Sequence, residues 1–318
     1  MILSASRRTD IPCYYSDWFY NRIKEGFVFV RNPMNIHQVS KIEISPEVVD
    51  CIVFWTKNPS PMLARLEELK EYPYYFQFTL NSYGQDVEEH VPLKGIQGVE
   101  TFQRLSDKIG RQRVIWRYDP ILLSNKYTIE YHSYYFEKLA EKLHDYTEKC
   151  TISFIDFYRN THANVRNLKL HVIRTAEKRA LAASLVEIAN FYHLKMDTCA
   201  EDIELSDLGI HHAQCIDAQL IEKILGAQMK VEKDKNQRLV CGCVESIDIG
   251  MYNTCANGCR YCYANHSRKA VEKSFNQHDK LAPLLSGIVT DLDIVKVRAM
   301  KSLKKEQLNL FHKSKSGG

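Results

Sequence analysis

Six short apolar runs, parted by stretches whose apolar residues keep helical spacing, constrain this chain more than any other feature of its sequence. The runs lie near residues 1 to 5, 51 to 55, 75 to 80, 113 to 118, 150 to 155 and 194 to 199. Between them, Tyr135, Phe136, Leu139, Ala140 and Leu143 fall on one helical face, as do Leu181, Leu185, Ile188 and Tyr192. Such alternation is the signature of βα units and a mainly parallel sheet with helices outside. Residues 27–30 and 39–44 alternate about Arg31-Asn32-Pro33 and predict a hairpin inserted after the first helix. The strand count predicts an α/β fold, a full or partial (β/α) barrel of the TIM type, over residues 1–240. A cysteine-rich loop over 241–270 and a helical segment with a basic tail over 271–318 would follow.

At 318 residues the chain can bury a full core. Its 45% hydrophobic and 26% charged residues are ordinary for a soluble globular protein, and no apolar run approaches the roughly 18 residues of a membrane span. The start, Met1 to Asp10, carries no positive region followed by a long apolar stretch and a cleavage site, so a cytoplasmic location is expected. In that compartment ten cysteines point to metal binding or catalysis more than to disulfides. Seven of them, Cys199, Cys215, Cys241, Cys243, Cys255, Cys259 and Cys262, fall in one stretch of the second half. The formal charge of +4 permits an anionic partner without demanding one.

In parallel barrels the working residues stand where strands end, because the βα loops gather at one face. The first run is followed by Ser6, Arg7, Arg8, Thr9 and Asp10, the second by Thr56, Lys57 and Asn58. The third carries Thr79 and Asn81, the fourth Arg117, Tyr118, Asp119 and Pro120, the fifth Asp156, and the sixth Cys199, Glu201 and Asp202. Arg117, Asp119 and Glu201 are the expected catalytic residues, orienting cofactor or substrate, with Arg7, Arg8, Asp10, Lys57 and Asn58 binding cofactor around them. The competing reading is that polar loop residues simply cap the next helix.

Cys255, Cys259 and Cys262 are spaced by three and then two residues. A loop this short can wrap a [4Fe-4S] cluster and reach three irons through soft thiolates, leaving the fourth iron without a local protein ligand. Gly258 would take a positive φ, and Tyr261 would pack beside the cluster or an adenine ring. A ferredoxin would want a fourth cysteine in register, and none follows Cys262. Structural zinc on Cys241, Cys243, Cys259 and Cys262 is the stronger competitor, but it leaves Cys255 without a role.

Cys-x3-Cys-x2-Cys with an aromatic residue before the last cysteine resembles the motif of the radical S-adenosylmethionine superfamily. The resemblance implies that S-adenosylmethionine chelates the open iron, that an electron from a donor such as flavodoxin or ferredoxin cleaves it, and that a 5′-deoxyadenosyl radical attacks an unknown substrate. The run from Asn257 to Asn265 is also similar to the cluster loop of spore photoproduct lyase and its relatives. Over the whole chain, Ser4-Ala5-Ser6-Arg7-Arg8-Thr9-Asp10-Ile11-Pro12, Trp55-Thr56-Lys57-Asn58-Pro59, Arg117-Tyr118-Asp119-Pro120 and Cys241-Gly242-Cys243 resemble the shared patches of DUF1848, a bacterial family of unknown function. One departure stands out: radical enzymes usually carry the cysteine loop after the first strand, and here it follows all six runs. The late loop is therefore expected to fold back over the barrel mouth.

Cys199, Cys215, Cys241 and Cys243 could hold an auxiliary iron-sulfur cluster, or Cys199 and Cys215 could be small buried hydrophobes. No metal is assigned to His211 and His212, and no His-x-x-His spacing supports a zinc hydrolase. A helix is expected from about residue 290 to 306, carrying Lys296, Arg298, Lys301, Lys304 and Lys305. After it, Gln307-Leu308-Asn309-Leu310-Phe311 resembles the motif by which bacterial repair and replication proteins dock on the DNA sliding clamp. That would make the substrate DNA and the role DNA repair. A non-enzymatic alternative is a clamp-associated nucleic-acid-binding protein with a structural or redox-sensing cluster.

Overall fold

The computed structural model describes residues 1–157 and 161–305. In chain order its strands are β1 (Ile2–Ala5), β2 (Phe27–Asn32), β3 (Asn35–Glu43), β4 (Cys51–Thr56), β5 (Tyr74–Thr79), β6 (Val114–Ile121), β7 (Lys149–Phe154), β8 (Lys195–Thr198), β9 (His211–His212), β10 (Ile247–Asp248) and β11 (Ile294–Arg298). The helices are α1 (Ile11–Tyr14), α2 (Ser16–Glu25), α3 (Ile96–Ile109), α4 (Ile129–Leu143), α5 (Thr161–Val165), α6 (Thr175–Phe191), α7 (Ala218–Leu225) and α8 (Arg268–Asn276). Every strand expected from the six apolar runs is present, as is the hairpin β2–β3.

Eight strands form one parallel sheet in the order β10-β1-β4-β5-β6-β7-β8-β9. Among the described residues β10 and β9 are its two edges, and no pairing joins them into a ring. Period-two alternation divides its side chains between two cores. Leu3, Ile52, Phe54, Phe76, Trp116 and Ile152 point to the helices, where Phe54 stacks on Phe76 at 4.6 Å and Trp116 on Phe136 of α4 at 4.8 Å. Burying each such ring contributes about 1.5–3 kcal/mol.

The other face carries Ile2, Cys51, Val53, Tyr75 and Ile115, and the chain from 200 to 244 packs onto it through Ile216, Ile221, Met229 and Val244. Polar anchors fix this packing: Tyr75 and Gln77 both donate to the Cys215 carbonyl, at 2.6 and 2.9 Å. Asp217 caps α7 by accepting from the N–H groups of Gln219 and Leu220. Towards the strands' C-terminal ends this second face turns polar, with Gln77, Thr79, Arg117, Asp119 and Ser153, and there the sites gather.

Over residues 290–305, the described part of the helix expected to about 306, no helix forms. Residues 294–298 are instead β11, which extends the hairpin as a third strand, parallel to β3 and paired from Ile294 with Gln38 to Arg298 with Ile42. The reason is local. Ile-Val-Lys-Val-Arg is β-branched at three of five positions, and β3 offers an open row of N–H and C=O groups. Of the cations expected on that helix, Lys296 and Arg298 stand on this exposed strand, and Lys301, Lys304 and Lys305 follow it. Asp293, just before β11, takes both arms of the Arg31 guanidinium, and Asp50 accepts from Ser302 Oγ at 2.5 Å and Leu303 N at 2.7 Å.

Candidate metal centre

The cysteine loop leaves the sheet from β10, a two-residue strand beside β1. The Asp248 carboxylate secures this exit by accepting from Ser4 Oγ, Ser6 Oγ, Arg7 N and Gly250 N, all between 2.7 and 3.0 Å. Gly250 must be glycine, since a Cβ there would lie 2.0 Å from Ser6 Oγ. The loop closes on itself, with Asn253 N donating to Ala264 O at 2.9 Å and Asn265 Nδ2 to Cys255 O at 2.7 Å.

It then lies across the C-terminal ends of β1, β4 and β5, held from three directions. Asn257 Nδ2 donates to Asp10 at 3.1 Å and its Oδ1 accepts from Tyr14 at 2.9 Å, while Tyr15 donates to Thr254 O at 2.6 Å. His90 N donates to Asn257 O and Arg260 N to Val87 O, at 3.0 and 2.9 Å. The late loop thus folds back over the strand ends, as expected. Gly258 has φ +63°, and a Cβ on it would meet His90 at 2.8 Å, so the segment 89–90 demands this glycine.

Beneath the loop lies a buried ion pair, Lys57 Nζ to Glu88 Oε1 at 2.7 Å. The same carboxylate accepts from the Tyr261 hydroxyl and from Asn81 Nδ2. Burial alone would raise the Glu88 carboxyl, but Lys57, then Tyr261 and Asn81, outweigh it and hold the group below its ordinary value. Asp10 is buried too, accepting from Thr56 Oγ1 at 2.7 Å and Lys57 N at 2.8 Å, and desolvation pushes its carboxyl up.

Cys255, Cys259 and Cys262 all face one cavity of 520 Å³ at the polar end of the sheet, and Arg7, Arg8, Asp10, Lys57, Arg117, Asp119 and Tyr261 line it with them. Burial raises all three thiols, Cys255 to about 12. Two of the expected site residues face elsewhere. Asn58 caps the following turn, accepting from Ser60 N at 3.0 Å, and Glu201 is spent on Phe154 N at 2.8 Å and Lys178 Nζ at 2.9 Å. Glu88 was not expected at all; its loop position carries no periodic signal, and Lys57 and Tyr261 from elsewhere give it its role.

The same cavity is lined by Cys199, Cys215, Cys241 and Cys243. Cys199 Sγ lies 3.1 Å from Cys215 Sγ, and Cys243 touches both Cys215 and Cys241. Arg117, 5% exposed, donates from Nη1 to Cys215 Sγ at 2.9 Å while its other arm grips Asp119 at 3.1 and 2.5 Å. Hydrogen bonds from Cys199 and Cys243, then the charges of Arg117 and Arg7, hold the Cys215 thiol well below its ordinary value. No three His, Cys, Asp or Glu side chains among the described residues surround a common point at metal-ligand distance.

A second cavity, of 580 Å³, adjoins the first through Arg7, Arg8 and Tyr263 and reaches the small sheet at Arg31 and Arg298. Arg7 lies over the Trp55 ring at 5.3 Å and Arg8 over Tyr252 at 5.2 Å. Residues 307–311, which resemble a clamp-docking motif, lie outside the described residues. No described helix is long and apolar enough to cross a membrane.

Among solved structures, a Bacteroides thetaiotaomicron protein provisionally assigned as an alpha-L-fucosidase is similar at 11% identity and a TM-score of 0.23, over 56% of this chain and 84% of that one. So low a score carries no argument. No curated protein matches. The family described as a domain of unknown function, DUF1848, matches residues 2–264, from the first strand of the sheet through the whole cysteine loop, and the chain belongs to that family.

Proposed function

We propose that this protein is a radical S-adenosylmethionine-type enzyme built on a partial (β/α) barrel, with Cys255, Cys259 and Cys262 holding a [4Fe-4S] cluster. The observation that carries this reading is that all three thiols of one short loop open onto a single cavity at the strands' C-terminal ends. Three soft donors, with no fourth cysteine on the loop, fit a cube with one free corner. The similarity of the loop to that of spore photoproduct lyase relatives supports the same reading. So does β10, because the loop follows a parallel strand at the edge of the sheet, which is the spatial setting of a first strand.

When bound, the cluster would supply one-electron reductive cleavage of S-adenosylmethionine. The chain's own residues bind and orient. Asp10, through Asn257, and Glu88, through Tyr261, fix the loop against β1, β4 and β5. Lys57 brings a positive charge beneath the thiols, and Trp55, Tyr261 and Tyr263 give the cavity aromatic surface for an adenine. Asp119, its carboxylate turned to Arg117, presents the rim where the methionyl amine would be met.

Anaerobic reconstitution followed by iron counting and a 5′-deoxyadenosine assay under dithionite tests this. About four irons held by the triad and released deoxyadenosine are expected; a protein that binds iron yet yields no deoxyadenosine would overturn the enzymatic reading. In that case the arginine-lined cavity favours the second reading, a nucleic-acid-associated iron-sulfur protein, whose mark is DNA binding that weakens steeply with salt.

A further inference from the structure

Cys199 follows β8, Cys215 follows β9, and Cys241 and Cys243 return on a hook from an excursion of the chain. Three separate segments thus bring four thiols to the wall of one cavity, with Cys215, Cys241 and Cys243 each under 8% exposed. We propose that these four cysteines form a second metal centre, a four-thiolate site for a thiophilic metal, with Arg117 and Arg7 as its counter-charges.

The reading as small buried hydrophobes does not account for the arginines. Arg117 aims an N–H at the Cys215 sulfur at 2.9 Å, and Arg7, which lines the same cavity, has a buried Nη2 with no hydrogen-bond partner and interacts by charge with Cys243 and Cys215. Donors so placed fit a centre that carries negative charge, as four thiolates around a divalent ion or an iron-sulfur cube do. A disulfide is a poorer fit, since a sulfur–sulfur distance of 3.1 Å lies well outside a bond of about 2.05 Å and a single bridge would leave two thiols over. Cys199 and Cys215 stand sulfur to sulfur at 3.1 Å and all four thiols line the same cavity, so the backbone brings the donor set together. Such a centre would fasten residues 199–243 onto the face of the sheet away from the helices. It shares no ligand with the loop triad and stands whether or not the triad binds a cluster.

The test uses full-length protein with Cys255, Cys259 and Cys262 all changed to Ala, purified anaerobically, so that only the second site can hold metal. Retention of about one zinc or about four irons per chain is expected, the absorption spectrum separating the two. Adding Cys215→Ser should remove that metal, while Cys51→Ala, a buried thiol of the same core, should not. Should Cys215→Ser fail to fold, release of the metal from the triple variant by a mercurial, titrated against a chromogenic chelator, gives the same stoichiometry. A folded triple variant with no bound metal overturns the proposal, as does metal that survives Cys215→Ser.

Discussion

Cys255, Cys259 and Cys262 reach the cavity on one loop of eight residues, whereas Cys199, Cys215, Cys241 and Cys243 reach it from three segments that only the folded sheet brings together. Their electrostatics differ as much as their origins. Burial raises the loop thiols, which therefore need a positive centre of their own before they become thiolates. The quartet is split: hydrogen bonds among its sulfurs and the Arg117 and Arg7 charges lower Cys215, Cys241 is lowered too, and neighbouring sulfurs and burial raise Cys199 and Cys243. On the proposed reading the loop is a socket for an added cluster, while the quartet's metal would fasten residues 199–243 to the sheet's second core.

The strongest test of this contrast is Cys259→Ala, which should cut deoxyadenosine formation by at least about 100-fold and lower the bound iron while leaving the fold intact. Cys150→Ala, in the helix-side core, should leave both unchanged; if the two variants match in an iron and product assay, the socket assignment breaks. Next in size, Lys57→Met leaves Glu88 buried without its cation and should cost about 3–5 kcal/mol in urea unfolding. The double change Lys57→Met with Glu88→Leu should recover most of that loss, because the stranded charge is gone.

Cys215→Ser should lower stability by about 3 kcal/mol, against less than about 1 kcal/mol for Cys262→Ser. Equal losses by denaturation would erase the distinction between the two thiol groups. The smallest effect lies away from both. His132, buried against Tyr118 and the Leu122 carbonyl, has its pKa lowered by burial from 6.5 to about 4. Between those values the unfolded chain takes up a proton that the native protein refuses, so stability falls as pH falls, by up to about 1.4 kcal/mol per pH unit. His132→Gln should flatten that slope in urea midpoints measured from pH 7 to 4, giving the background against which the cysteine variants are read.

Most of the sheet was legible because six of its eight strands are apolar runs long enough to show a pattern. β9 and β10 are two residues each and exist only through their neighbours' hydrogen bonds. β11 misled because its lysine and arginine weighed more in the reading than its β-branched residues, and its partner strand is some 250 positions away. Of the residues that strand-end logic picks, Arg7, Arg8, Asp10, Lys57, Arg117 and Asp119 line the cavity. Asn58 and Glu201, picked by the same logic, do not line it: one caps a turn and the other ties β7 to α6. The quartet could be counted in the sequence but not assembled, since nothing local says that Cys199 and Cys243 meet.

Leu3 and Ile247 are register partners in the sheet, yet they stand 244 positions apart in the chain. On a ribosome adding about 5–20 residues per second, β1 must wait on the order of tens of seconds with one side bare before β10 arrives to cover it. The cysteine loop is born immediately after that covering strand. Asp10, Lys57 and Glu88 are therefore already waiting when it emerges, and the cysteines arrive as the last piece of the sheet's edge, so a cluster of the kind proposed would be inserted only at the end of biogenesis.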